Sequence, residues 1–189
     1  MEVWKRLQSV GTLRADLRHV ESNFLASHEW MARQMHQRLR VRPPRDSLPV
    51  WAWYQWQSEG RKKPDLRSSG HLPKGERGVR IKFERDDRLV LLSDFELWHY
   101  VLNYWYLPQS EVDGESFESE LSEQGLSFYA TKPLPLPYHQ RIEKSWERIF
   151  DMEWAVEGLA APKAEKVIQA TLWELRIKDV KSCEEFISR

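Results

Sequence analysis

Apolar residues recur at helical spacing in several stretches of this chain and alternate, strand-like, in others. In residues 2–10, Val3, Trp4, Leu7 and Val10 share one helical face, and Gly11 offers the stop. Small α+β folds seldom open with so abrupt a helix, so a strand upstream of Glu2 is expected. Residues 22–39 carry the clearest helical pattern: Phe24, His28, Met31, Met35 and Leu39 on one face, Leu25 and Ala32 beside it, Ser22 as N-cap, and Pro43-Pro44 beyond the end. Ser93 begins Ser-Asp-Phe-Glu, a capping-box pattern with Glu96 in third place, which predicts a helix to about Tyr104 ended by Pro108. Residues 111–124 are acidic and allow a short helix, and residues 139–150 form another on Ile142, Trp146, Ile149 and Phe150.

Residues 50–56 read as an aromatic strand, with Trp51, Trp53 and Gln55 on one face and Val50, Ala52, Tyr54 and Trp56 on the other, so both faces are covered or used. Residues 79–85 alternate through Val79, Ile81 and Phe83, and Asp86-Asp87 reads as a turn into Leu89-Val90-Leu91-Leu92, which predicts a hairpin. Residues 167–175 form a late strand, against which Ile177, Val180, Phe186 and Ile187 pack a final short element. Residues 58–78 are polar, basic and rich in Gly and Pro, a long loop and the first place to look for function. Residues 132–137 are a proline-studded connector, and no internal repeat occurs. The elements predict one α+β domain over residues 1–189, with a small mixed or antiparallel sheet of about four to six strands packed with three to four helices.

Apolar residues make up 41% and charged residues 31%, which marks a chain able to fold and excludes disordered or collagenous classes. Ten tryptophans exceed what a core of this size needs, so some of them are expected at a cleft or an interface. Cys183 is the only cysteine; an intrachain disulfide and a Cys-x-x-Cys zinc pair are both impossible. With no apolar leader and no run approaching a membrane span, the chain reads as cytoplasmic, with no membrane partner. Net charge is zero, yet residues 1–92 hold 19 Lys+Arg against 11 Asp+Glu (+8) and residues 93–189 hold 10 against 18 (−8). Either the halves neutralise each other or the first presents a basic face.

No glycine-rich phosphate loop is present, which excludes a P-loop enzyme. His28-Glu29 opens like a zinc-protease helix, but Ala32 stands where the second histidine is needed, and no metal site is expected. Three polar clusters remain. In Lys62-Lys63-Pro64-Asp65-Leu66-Arg67, Arg67 offers a fork to phosphate or carboxylate and Asp65 orients it, unless the pair is a solvated salt bridge. Ser93-Asp94 with His99 sits at a helix start, where Asp94 either stabilises the helix N-terminus or acts with His99. Glu174, with Gln169 in the same run, is a carboxylate inside an apolar strand, which must be paired, solvated or functional.

At Trp51-Ala52-Trp53-Tyr54-Gln55-Trp56, Lys63-Pro64-Asp65-Leu66-Arg67, Leu92-Ser93-Asp94-Phe95-Glu96-Leu97-Trp98-His99 and Gln169-Ala170-Thr171-Leu172-Trp173-Glu174, the sequence resembles an uncharacterised bacterial family catalogued only as a domain of unknown function. The resemblance runs over nearly the whole chain and implies no established activity. A weaker similarity is to the ADP-ribosyltransferase superfamily, through the helix and glycine at residues 2–11 and a late glutamate at Glu174. It implies NAD as cofactor, Glu174 holding the nicotinamide ribose and Tyr54 stacking on nicotinamide; the early strand of that superfamily is absent. Three hypotheses follow. The first is a nucleotide or other phosphate-bearing small molecule bound in a Trp-lined cleft, with Tyr54, Trp53, Asp65 and Arg67 as ligand-binding residues and Glu174, Asp94 and His99 as catalytic ones. The second is a nucleic-acid module using the basic half, and the third is a protein-interaction domain.

Overall fold

The computed structural model describes residues 2–41, 43, 47–56, 64–68, 71–127, 129 and 132–189. Its α-helices are α1 (Glu2–Val10), α2 (Leu25–Arg38), α3 (Phe95–Asn103), α4 (Glu111–Glu123) and α5 (Leu136–Trp146). Its strands are β1 (Thr12–Leu13), β2 (Val50–Gln55), β3 (Arg77–Phe83), β4 (Leu91–Asp94), β5 (Ile168–Leu172), β6 (Leu175–Arg176) and β7 (Val180–Ile187). The fold is α+β, with the strands divided among three small sheets of order β1-β6, β2-β5-β4 and β3-β7. Among the described residues no helix is long and apolar enough to cross a membrane.

The chain divides into two compact units: the first comprises Met1–Trp53, Lys63–Leu91 and Ala170–Arg189, the second Tyr54–Lys62 and Leu92–Gln169. Counted by unit, the charge asymmetry persists, with 21 Lys+Arg against 14 Asp+Glu in the first (+7) and 8 against 15 in the second (−7).

In the first unit α1 ends where the sequence predicts. Gly11 adopts φ 79°, a left-handed conformation only glycine takes without strain, and its N–H closes on the Leu7 carbonyl at 2.8 Å. Leu7, Leu172 and Leu175 form a buried cluster against which Trp4, Leu13, Val50, Ile81, Phe83 and Val180 pack. The expected helix over residues 22–39 begins later. Residues Ser22–Phe24 form a 3-10 turn, α2 starts at Leu25 without a side-chain cap, and Ser22 is not the N-cap. Its buried face is Ser27, Trp30, Met31, Gln34 and Met35, while Phe24 and His28 are only half-buried, so the true stripe lies a step round the helix from the predicted one.

The predicted hairpin between residues 79–85 and 89–92 does not form. Asp86 instead caps a 3-10 turn over Asp87–Leu89 by accepting from the Arg88 N–H, and this sends the chain into β4 in a different sheet. β3 pairs antiparallel with β7, from Arg77 opposite Ile187 to Phe83 opposite Val180, with a register shift at Lys82/Phe83. The final element is therefore an eight-residue strand rather than a short appendage.

In the second unit α3 and α5 pack together. Leu97, Trp98, Val101, Leu107, Phe117, Leu121, Leu134, Ile142, Trp146 and Ile149 are all buried. Tyr106 stacks on Phe117 with ring centroids 4.1 Å apart, and the Trp146 indole N–H donates to the Trp105 carbonyl at 2.6 Å. Ser145, buried within this layer, accepts from the Leu107 N–H at 2.9 Å and donates to the Ile142 carbonyl at 2.7 Å, so its hydroxyl is satisfied. α3 is capped by Asp94 rather than Ser93, because β4 runs on through Asp94 in extended conformation and leaves Ser93 inside the strand.

Candidate functional site

In the first unit, residues 173 and 174 form a bend between β5 and β6, so Glu174 stands past the end of the apolar strand rather than within it. Antiparallel pairing of β1 with β6 brings Arg14, which follows β1, towards this bend. Arg14 donates through Nε (3.2 Å) and Nη2 (3.0 Å) to one oxygen of Glu174, and Arg176 donates to the other at 2.6 Å. Burial pushes the Glu174 carboxyl up, but the hydrogen bonds from Arg176 and Arg14 outweigh it and hold the group below its usual range, so it is ionised at neutral pH.

Glu174 lines a cleft of about 570 Å³ together with Arg14, Arg85, Trp173, Arg176 and Lys178, a volume suited to a small ligand. On its acidic side Asp179 takes Nη1 of Arg85, Glu84 pairs with Lys181 at 3.1 Å and Asp86 pairs with Arg88. Lys178 is exposed, with no ion pair among the described residues. Among the described residues the lining holds four basic side chains and four carboxylates; Glu84 and Asp86 are paired with Lys181 and Arg88 from outside it, so Arg14, Arg85, Arg176 and Lys178 face Glu174 and Asp179 with two positive charges over. Two donors on residues of this lining are buried and without a partner among the described residues: Nε of Arg85 and the indole Nε1 of Trp173.

The other predicted site residues lie elsewhere. Asp65 and Arg67 line a separate recess with Pro64, Arg80, Glu184 and Phe186. Arg67 donates to Asp65 through its backbone N–H (3.1 Å), Nε (2.8 Å) and Nη2 (3.0 Å), so the fork closes on Asp65 itself. That pairing holds the Asp65 carboxyl at about 2, below its ordinary 3.8. Because the folded value lies below the unfolded one, the pair is complete above 3.8 and is lost as pH falls through about 2. An NMR titration of the Asp65 carboxyl should show its midpoint near 2, returning towards 3.8 in Arg67→Ala; a midpoint near 3.8 in the wild-type protein would show that the pair does not form in solution. Lys62 and Lys63 of the same cluster lie outside the described residues, as do residues 58–61 and 69–70 of the long loop. Trp53 packs edge-on against His71, with ring centroids 6.4 Å apart, and Tyr54 is 60% exposed; neither lines these clefts.

In the second unit Asp94 is 2% exposed and fully engaged. One oxygen accepts from the N–H groups of Glu96 (3.0 Å) and Leu97 (3.3 Å), and the other accepts from Nζ of Lys166 at 2.8 Å. Lys166 is itself 1% exposed, and its backbone carbonyl accepts from the Gln55 side chain at 2.9 Å. Asp94 and Lys166 lie at one side of a largely apolar cleft of about 400 Å³ with Leu97, Leu159 and Pro162. His99 does not join them. Its ring packs edge-on against Phe95 at 4.9 Å, and Nδ1 lies 3.2 Å from the Glu96 carbonyl, which can only accept, so that nitrogen carries the proton.

Sequence reading did not single out Arg14, Arg85, Arg176, Lys178 or Lys166. The one available signal was Arg176, two residues beyond Glu174. Among the described residues no group of three His, Cys, Asp or Glu side chains is placed to hold a metal ion.

No curated protein and no solved structure matches the sequence. A family model described as "Domain of unknown function (DUF3841)" matches residues 1–181, which take in all four sequence motifs, the Glu174 cleft and the Asp94–Lys166 pair, and the chain belongs to that family.

Proposed function

We propose that the first unit binds a small phosphate-bearing molecule, a nucleotide being the best fit, in the cleft beside Glu174. The observation that carries this reading is the excess, among the described residues, of two positive charges over their ion-pair partners around a cleft of about 570 Å³ that Trp173 lines. The +7 charge of the unit favours an anionic ligand on approach. In this reading Glu174 positions Arg14 and Arg176. In ADP-ribosyl transfer Glu174 would take a ribose hydroxyl as well as its arginines, and Oε1, which accepts from Arg176, would be the oxygen to take it.

Intrinsic tryptophan fluorescence and calorimetry with inorganic phosphate, AMP, ATP and NAD test the reading. Saturable binding is expected for at least one of them, and Arg176→Ala should weaken it about 10-fold, the usual scale for a hydrogen bond to a charged group. Absence of binding by all four would sink the proposal. The same +7 charge favours a second reading, a nucleic-acid contact, which a salt-sensitive response to short oligonucleotides in the absence of any nucleotide response would support.

A further inference from the structure

We infer that this cleft holds a subsite for a terminal phosphate monoester at Nε of Arg85 and the indole N–H of Trp173, two residues of its lining; the inference rests on the binding role proposed above. Arg85 and Trp173 both line the cleft, the Arg85 side chain is 10% exposed and Trp173 is 6% exposed. Their Nε and Nε1 atoms are inaccessible to solvent and meet no acceptor among the described residues. A buried donor left unsatisfied costs about 1–3 kcal/mol, so two on residues that line one cleft point to an acceptor supplied from outside, which the lining side chains must shift to admit because neither nitrogen is open to water. The guanidinium is already oriented: Asp179, 14% exposed, takes Nη1, which leaves the Nε edge as the fork for an incoming oxyanion.

The ligand class follows from charge and shape. Phosphate esterified once carries about −1.5 to −2 at neutral pH, which matches the two positive charges left over around the cleft. It also ends in three oxygens that can meet two donors at once. A phosphodiester carries one negative charge and is blocked on both sides, so a cyclic nucleotide or the pyrophosphate of a dinucleotide satisfies these two donors less well. The subsite therefore favours a nucleoside monophosphate or another monoester over NAD.

The test combines two affinities with one spectroscopic readout. AMP should bind about 10-fold more tightly than cyclic AMP, which has the same base and sugar, and Trp173→Phe, which keeps an aromatic ring of smaller size and loses the N–H, should weaken AMP and inorganic phosphate by about the same factor. Arg85→Lys should do likewise, with circular dichroism confirming the fold. In 1H–15N spectra of wild-type protein, the Trp173 indole resonance, assigned by its loss in Trp173→Phe, should move downfield as phosphate saturates. If AMP binds but the indole resonance is static, or both variants bind AMP as wild type does, or cyclic AMP binds equally well, the monoester subsite is wrong while the cleft reading stands. If no phosphate-bearing probe binds at all, both fall together.

Discussion

Lys166→Ala is expected to destabilise the second unit by about 3–5 kcal/mol, the cost of leaving a buried charge without its partner. The side chains of Lys166 and Asp94 are 0% and 3% exposed, with 2.8 Å between Nζ and the carboxylate. Removing the amine strands a carboxylate that water does not reach. Asp94 cannot rotate out to solvent cheaply, because its other oxygen caps α3 through two backbone N–H groups. Urea unfolding followed by circular dichroism gives the number. The double variant Lys166→Met/Asp94→Asn separates charge from packing: asparagine retains the cap, methionine retains the volume, and no ion is buried. It should recover most of the loss. A cost below about 1 kcal/mol for Lys166→Ala, the level of an exposed pair, would mean that solvent reaches Asp94.

Gly78→Ala is expected to cost about 1–3 kcal/mol by overpacking. Gly78 is buried in β3, and a Cβ there would overlap the Phe186 ring of β7 and lie 2.6 Å from a Leu72 methyl. Pairing of Gly78 with Phe186 across the ladder sets this close approach, and the lack of a side chain at Gly78 is what lets the ring lie over the strand. In a Phe186→Ala background the same change should cost much less, and the difference between the two costs measures the steric coupling. An effect below about 0.5 kcal/mol in the wild-type background, typical of an unconstrained surface site, would show that β3 and β7 separate enough to take a methyl.

How far the sequence could be read depended on how far apart in the chain the deciding partners lie. α1 and its Gly11 stop were legible because a helix hydrogen-bonds within itself and the terminating conformation belongs to one residue. α3 was legible to within one position: Ser93 and Asp94 are both good caps, and only the continuation of β4 decided for Asp94. The hairpin failed because Asp86 and Arg88 close a local turn that looks the same in sequence whether the chain returns to β3 or leaves it, and the partner of β3 comes about 100 residues later.

The candidate site divides along the same line. Glu174 could be singled out because a carboxylate after five strand residues needs an explanation wherever it ends up. Arg14, which supplies half of that explanation, is 160 residues away, and Asp179 is 94 residues from Arg85. Asp65 and Arg67, by contrast, sit two residues apart, and their chemistry was visible at once; the structure shows that so short a spacing lets the pair satisfy itself. By itself the sequence determined the local facts: helix stops, a globular composition, a single thiol, a basic and an acidic share of the chain, and a glutamate that had to be compensated. Only the tertiary structure decided which cations compensate it, that Lys166 is buried against Asp94, and that Arg85 and Trp173 keep donors without a partner among the described residues. Those outcomes depend on burial and on long-range pairing, and both are properties of the folded surface rather than of neighbouring residues.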